Sequence, residues 1–173
     1  GDAYLALFRG NFALPSSAML RRDAFVASGG FDETFRLAEE TEYFHRLAAR
    51  ADVAVVMEPL VGYRVAQADS LVSSANIVRL IENALASLDK AAELRSDHFG
   101  HIREQLRIGK RRQLSRLARA HLGANHGARA RGALQAAFAA GGARDAESWL
   151  ILAASYFPYS WTRAILRSVR PKR

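Results

Sequence analysis

The order of apolar and polar positions changes character near Ser74. Before it, apolar residues come in short runs interrupted by glycine, asparagine and proline, which is typical of short strands joined by turns. Two helices are also predicted there, from Arg22 to Ser28 and from Glu39 to Arg50, the second with acidic residues in its first turn, where the helix dipole favours anions. The runs that predict strands are Tyr4 to Phe8, Ala18 to Leu20, Val53 to Met57 and Leu60 to Val65.

After Ser74 the apolar period is that of α-helices throughout. The pair of helices between Ala128 and Tyr156 resembles an antiparallel helical hairpin, with Asp145 as the cap of its second helix. The sequence therefore predicts a partial α/β domain with a few short strands at residues 1–74 and an all-α extension at residues 75–173, mostly helical by residue count. The predicted helices of the extension run from about Ile77 to Ala92, His101 to Leu122, Ala128 to Ala140, Asp145 to Tyr156 and Ser160 to Arg170.

Composition excludes several classes of protein. With 173 residues, 50% of them hydrophobic and 24% charged, the chain is long enough to bury a real core. The absence of cysteine excludes a disulfide scaffold, a thiolate metal site, a cysteine nucleophile and an iron–sulfur cluster. The longest strongly apolar run, Trp149 to Phe157, is far below the roughly 20 residues of a membrane span, so no transmembrane helix is predicted. The chain begins at Gly1 without a signal-peptide pattern, and we interpret Gly1 as a cut inside a longer protein.

Charge divides the chain at the same place as the hydrophobic pattern. Residues 1–74 carry 7 Arg against 10 Asp and Glu, a net charge of −3, whereas residues 75–173 carry 18 Lys and Arg against 7, a net charge of +11. Basicity therefore indicates an anionic partner for the second half only. Three interpretations stay open for its arginines: a solvated charged face, contact with an anionic membrane surface and, third, nucleic acid.

The first half also contains an ordered set of short motifs. These motifs are Gly10-Asn11, Met19-Leu20-Arg21-Arg22, the Gly29-Gly30-Phe31-Asp32-Glu33 turn, Glu39-Glu40-Thr41-Glu42 with Arg46, Pro59-Leu60 and Tyr63-Arg64. In order and spacing this set resembles the C-terminal half of the catalytic domain of family 2 glycosyltransferases, the inverting enzymes of GT-A fold that use nucleotide-sugar donors. The resemblance covers roughly Phe8 to Ser74.

The resemblance implies a role for five residues. Glu40 matches the general base that removes the proton of the acceptor hydroxyl, although the family usually has aspartate there. Glu39 is expected to contact the acceptor or orient a neighbour, and Asp32 either binds acceptor or makes local hydrogen bonds in its turn. Tyr63 and Arg64 match an aromatic and basic pair near the donor diphosphate, where Arg64 would offset charge on the leaving group. Acidic residues in a first helical turn are also common without catalysis, so a structural role for Glu40 stays open.

The resemblance also implies partners that this chain does not fully provide for. The full-length enzyme is expected to use a divalent metal, Mg or Mn, held by an Asp-x-Asp motif upstream of Gly10, and we assign no metal ligand in this chain. The fragment is therefore expected to be inactive alone. Expected partners are a nucleotide-sugar donor, a glycan or lipid-linked acceptor and, through the basic C-terminal helices, the inner face of the membrane around a cytoplasmic enzyme. The alternative is a non-catalytic helical interaction module that binds an anionic surface or a partner protein.

Overall fold

The structure is a computed structural model, and it describes residues 1–62, 76–95, 99–142 and 145–157. These residues form seven α-helices and one short 3-10 turn, Pro15–Ser17, and contain no β-strand. The α/β part of the predicted fold class is therefore wrong for the part of the chain that is described. The helices are α1 (Tyr4–Arg9), α2 (Arg22–Ala27), α3 (Glu39–Ala48), α4 (Ile77–Ala92), α5 (Phe99–Gly123), α6 (Gly127–Ala139) and α7 (Ala146–Ala154).

The predicted strands do not form within the described residues, because a strand needs a neighbouring main chain to satisfy its N–H and C=O groups. The second half of the predicted strand from Leu60 to Val65 lies outside those residues. Val53 exchanges two main-chain hydrogen bonds with Gly1, at 2.7 and 2.9 Å, but no ladder continues from this pair in the described residues. The predicted strand from Tyr4 to Phe8 is instead part of α1, which buries Tyr4, Leu7 and Phe8 at helical spacing.

By contacts the chain divides into two compact units, Gly1–Gly109 and Lys110–Arg173. The sequence boundary near Ser74 lies outside the described residues and remains a prediction. α4, predicted to be the first helix of the helical extension, packs within the first unit against α3. The extension therefore contributes directly to the environment of the acidic helix.

The core of the first unit is formed by α1, α3, α4 and the start of α5. Gly109 lets α5 approach α1, because a Cβ at this position would collide with the main-chain carbonyl of Phe8. Tyr4 and Phe8 pack edge to face with ring centroids 5.4 Å apart. The buried residues of this core are Tyr4, Leu7, Phe8, Tyr43, Phe44, Leu47, Ala48, Leu88, Ala91 and Ile102.

The second unit contains the antiparallel hairpin that the sequence predicted. Gly127, at the start of α6, lies directly against the carbonyl of Ser155, which follows the end of α7. α6 ends in a left-handed Gly141, after which the Gly142 N–H donates to the Ala137 carbonyl at 2.8 Å. The predicted cap of α7 is also confirmed, since the Asp145 carboxylate accepts a hydrogen bond from the Ser148 N–H at 2.8 Å. The predicted last helix, Ser160 to Arg170, lies outside the described residues.

A large part of the apolar surface of the first unit is exposed. Met19 and Met57 are 99% and 90% exposed, so neither contributes to the core. None of the helices in the described part of the chain has both the length and the apolar character needed to cross a membrane. Other exposed apolar side chains of the first unit are Phe12, Leu14, Val26, Val55, Val56, Leu60 and Val61.

Candidate functional site

α3 begins directly after a residue in an unusual conformation. Ala38 is left-handed, with φ 61°, and its carbonyl accepts hydrogen bonds from the N–H groups of Thr41 and Glu42 at 3.0 and 3.3 Å. A left-handed backbone costs a residue other than glycine about 1–2 kcal/mol, and such strain is concentrated at functional sites. No side chain caps this helix. Glu39 and Glu40 are the first two residues of the helix, so their own main-chain N–H groups precede its first main-chain hydrogen bonds.

Glu40 is the half-buried carboxylate of this turn. Burial raises the pKa of its carboxyl group above the ordinary 4.5, and the nearby charge of Glu39 raises it further. Its own N–H and the Thr41 side chain act in the opposite direction without cancelling the effect of burial. No cation pairs with Glu40 among the residues that the structure describes. Its carboxylate therefore keeps more affinity for a proton than an ordinary surface glutamate has.

The Gly10-Asn11 motif reaches this turn. The Asn11 side-chain amide donates to the Thr41 hydroxyl at 3.2 Å, and its carbonyl accepts from the Ala13 N–H at 3.0 Å. Two motifs that are separated in the sequence by about 30 residues thus meet one residue away from Glu40. The sequence order alone does not require this contact.

Arg46 connects α3 to the glycine turn. Its guanidinium makes two hydrogen bonds to the Glu42 carboxylate, at 2.7 and 2.8 Å, an ion pair of the kind that i, i+4 spacing with the acid first favours. The same group donates to the carbonyl of Gly30 at 2.6 Å and to that of Ser28. Gly29 and Gly30 have φ values of 80° and 70°, a left-handed backbone that glycine adopts without strain.

Asp32 is held by its own turn and by α4. Its carboxylate accepts from the Thr34 N–H at 3.0 Å, from the Thr34 hydroxyl at 2.7 Å and from Lys90 Nζ at 2.7 Å. The hydrogen bonds from Lys90 and Thr34 lower the pKa of Asp32 well below its usual range. These contacts give Asp32 a local structural role, and its binding of an acceptor remains a prediction.

Lys90 also binds Glu42, a contact that the sequence pattern does not predict. The Glu42 side chain is 1% exposed, and Lys90 Nζ lies 2.7 Å from its Oε1 atom. Burial raises the pKa of Glu42, but the hydrogen bonds from Arg46 and Lys90 lower it by more. Arg46 and Lys90 therefore both pair with Glu42, and neither of them pairs with Glu40, two residues earlier in the sequence.

α4 presents a line of polar side chains to α3 and the segment before it. Asn83 donates to the Leu37 carbonyl at 2.8 Å, and the Ser87 hydroxyl lies 3.4 Å from His45 Nδ1. Together with Lys90 these residues recur at i, i+4 and i+7, which places them on one helix face. A polar line at helical spacing beside the apolar stripe was the sequence signal for this contact.

His45 is packed in the core and is not placed as a ligand. Its ring is 1% exposed, and Nδ1 lies 2.7 Å from the Thr41 carbonyl, so Nδ1 carries the proton that is donated there. Nε2 has no hydrogen-bond partner among the described residues. Burial lowers the pKa of His45, although the Thr41 carbonyl and Glu42 favour the charged form.

The donor and metal side of the predicted site cannot be assembled from the described residues. Tyr63 and Arg64 lie outside them. In the ranges that the structure describes, no three His, Asp or Glu side chains are grouped so that they could hold a metal ion. These residues therefore do not fit a resident divalent metal, and metal ligands upstream of Gly10 remain a prediction.

Comparison of the chain with protein-family models, with curated proteins and with solved structures found no match. The resemblance to family 2 glycosyltransferases is thus neither supported nor opposed by these comparisons. Function has to be inferred from the chemistry of the site itself.

Proposed function

We propose that the region around α3 supplies the acceptor side of an inverting glycosyl transfer, with Glu40 as the general base. The observation that carries this proposal is the difference between Glu40 and Glu42. Glu42 is neutralised by Arg46 and Lys90, whereas Glu40 is half-buried at a helix start with a raised pKa and no cation among the described residues.

This difference matters because a carboxylate held by two cations is a weak base. A general base works best when its pKa approaches the working pH, and burial moves Glu40 in that direction. The left-handed conformation of Ala38 and the hydrogen bond between Asn11 and Thr41 hold the main chain before and after Glu40. Glu39 lies beside it, where an acceptor could be contacted.

In the proposed step, the acceptor hydroxyl gives its proton to a carboxylate oxygen of Glu40 as its own oxygen attacks the anomeric carbon. A new bond forms between the acceptor oxygen and that carbon. The bond to the nucleoside diphosphate breaks on the opposite side, and the leaving group departs with the bonding electron pair, so the configuration is inverted. Following the resemblance, Arg64 is proposed to offset the charge on the departing diphosphate and Tyr63 to contact the donor.

The test is glycosyl transfer by the complete gene product that contains this chain. Release of nucleoside diphosphate is followed with UDP-, GDP- and dTDP-sugars as donors and para-nitrophenyl glycosides as acceptors. E40Q should lower kcat by about 10²–10⁴-fold, because loss of a general base has effects of that size. E33Q is the matched control, since Glu33 is exposed in the neighbouring turn and carries the same charge.

E40D adds a second readout. Aspartate is the residue that the family usually carries, so E40D should retain more activity than E40Q, which has no basic oxygen of comparable strength. Turnover by E40Q equal to that of the wild type would remove Glu40 from the base role. Loss of activity in E33Q as well as E40Q would indicate a general effect of charge.

A second candidate function is a non-catalytic interaction module. The exposed apolar side chains of the first unit favour it, because they include Met19 and Met57, which have almost no protein around them and which a binding partner would cover. In that case E40Q and wild type would show equal behaviour in every assay, and none of the donors would be consumed.

A further inference from the structure

The second unit has an apolar surface that the proposed glycosyl transfer does not use. α7 buries Ser148, Ile151 and Ala154. Its opposite side, which we call the α7 outer face, consists of Trp149, Leu150 and Ala153 together with Tyr156 just after the helix.

Three residues of the α7 outer face have large side chains that are exposed to solvent. Trp149 is 53% exposed, Leu150 42% and Tyr156 69%. Their positions recur at helical spacing, so they share one side of the helix. The segment from Ser148 to Phe157 contains no charged residue. An aromatic surface of this kind normally contacts something other than water.

Cations border the α7 outer face. The Arg131 guanidinium lies 4.3 Å from the centre of the Tyr156 ring and donates to the Ser155 carbonyl at 2.7 Å. Arg119 reaches the first turn of α7 through a salt bridge with Glu147. The face is therefore apolar at its centre and basic at its edge.

The charge of the unit is strongly one-sided. Among the described residues of this unit, seven are Lys or Arg, and only Asp145 and Glu147 are acidic. Arg112, Arg116 and Arg119 follow one face of α5 at i, i+4 and i+7. Burial and the charges of the other two arginines lower the pKa of Arg116, so the arginines repel one another. An anionic surface would relieve this repulsion.

These observations favour a lipid surface over the other occupants. Tryptophan and tyrosine prefer the interface between headgroups and acyl chains, leucine enters the apolar boundary, and arginines attract anionic headgroups. A neutral protein partner would leave the excess of cations unexplained. A nucleic acid would use the cations but would gain little from the Leu150 and Ala153 side chains.

We propose that the α7 outer face binds the surface of an anionic lipid bilayer, with Trp149 and Leu150 entering the interface, Arg131 facing the headgroups and the net positive charge of the unit adding electrostatic attraction. This contact is peripheral, and it is independent of whether the first unit transfers a sugar. Binding of this kind does not itself require a helix that crosses the bilayer.

The test is co-sedimentation of the whole chain with vesicles of phosphatidylcholine alone or with 30% phosphatidylserine. Binding should require phosphatidylserine and weaken between 0.1 and 0.5 M NaCl, because salt screens the cations. W149A/L150A should lower the partition coefficient by about tenfold or more, since both apolar contacts are lost. V55A/V56A is the matched control, because it removes two exposed apolar side chains from the first unit.

A second measurement follows Trp149 itself. In a W161F background Trp149 is the only tryptophan, and its fluorescence should shift to the blue and be quenched by brominated lipids when phosphatidylserine vesicles are added. Circular dichroism checks that W149A/L150A remains folded, as expected for exposed positions.

Three outcomes would overturn the proposal. The first is equal binding of W149A/L150A and wild type to phosphatidylserine vesicles. The second is a wild-type dimer that W149A/L150A converts to a monomer, which would make a second copy the occupant. The third is binding to a 30-base-pair DNA duplex without binding to vesicles.

Discussion

Lys90 Nζ lies 2.7 Å from Oε1 of Glu42, whose side chain is only 1% exposed. The same ammonium group binds Asp32 at 2.7 Å. One side chain of α4 thus joins the first turn of α3 to the glycine turn that precedes it. The relative placement of α4, the first turn of α3 and the glycine turn thus depends on Lys90. This residue lies outside the range that resembles glycosyltransferases.

Replacing Glu42 should therefore destabilise the first unit. E42Q leaves Arg46 and Lys90 facing an uncharged amide, and breaking a buried ion pair from one side costs about 3 kcal/mol. The measurement is the free energy of unfolding in urea. D23N is the control, because the Arg21–Asp23 pair has side chains that are 84% and 67% exposed and should produce no measurable change. Equal stability of E42Q and D23N would contradict the structural role given to Glu42.

His45 should make the stability of the first unit depend on pH. Its folded-state pKa lies below the ordinary 6.5, so below pH 6.5 the unfolded chain binds a proton that the folded chain resists. The contribution of neutral His45 to the free energy of unfolding should therefore be complete above pH 6.5. It should decrease as the pH falls from there towards the folded-state pKa. The groups facing His45 are Glu42 on α3, the Leu7 carbonyl on α1 and the Ser87 hydroxyl on α4.

The measurement that isolates this effect is urea unfolding between pH 7.5 and 5 for wild type and H45Q. H45Q should show a flatter decrease in this window. Asp32 and Glu42 also lose stabilising contacts on protonation, but their pKa values are lowered, so their effect comes at more acidic pH. Parallel curves for the two proteins would show that His45 is not the titrating group.

Gly109 should be intolerant of a methyl group. In G109A the new Cβ would meet the main-chain carbonyl of Phe8, which cannot rotate away, so α5 and α1 must separate at a cost of about 2 kcal/mol. G132A is the matched control, because Gly132 is exposed in the middle of α6 and a Cβ there meets nothing within 4 Å. G132A should stabilise by about 1 kcal/mol through helix propensity. The opposite signs make thermal unfolding of the two variants a clear comparison.

Glu40 should set the acid limb of the pH–rate profile if it is the base. Its pKa is raised by burial and by Glu39, so kcat/KM should fall on acidification at a pH above 4.5. E39Q removes the neighbouring charge and should shift this limb to lower pH, whatever its effect on the size of the rate. An acid limb at or below pH 4.5 in the wild type would be inconsistent with Glu40 as base.

The helices could largely be predicted from the sequence because their signals are local. α4 occupies the predicted range from Ile77 to Ala92. α6 ends two residues before Gly141, and α7 begins one residue after its cap, Asp145. The periodicity of α4 predicts one buried stripe, which is only partly right. The predicted stripe is Ile77, Ile81, Leu85, Leu88 and Ala92, whereas the buried residues are Ile81, Ala84, Ser87, Leu88 and Ala91.

The absence of the strands could not be predicted from local signals in this way. A short apolar run such as Tyr4 to Phe8 fits a strand or one side of a helix, and the decision depends on whether another main chain is available to pair with it. The candidate site shows the same limit. The Glu42–Arg46 pair follows from spacing, but the contacts of Lys90 with Glu42 and Asp32 depend on how α4 folds back onto α3.

The position of the two methionines offers a chemical handle on the first unit. Oxidation to the sulfoxide makes the side chain polar, which harms a protein chiefly where the sulfur is buried in a core or an interface. Because Met19 and Met57 are the only methionines and both are almost fully exposed, dilute peroxide should oxidise both without unfolding the chain. Each sulfur is then a built-in footprinting reporter, since any molecule that covers the surrounding apolar surface will slow its oxidation and identify the side on which it binds.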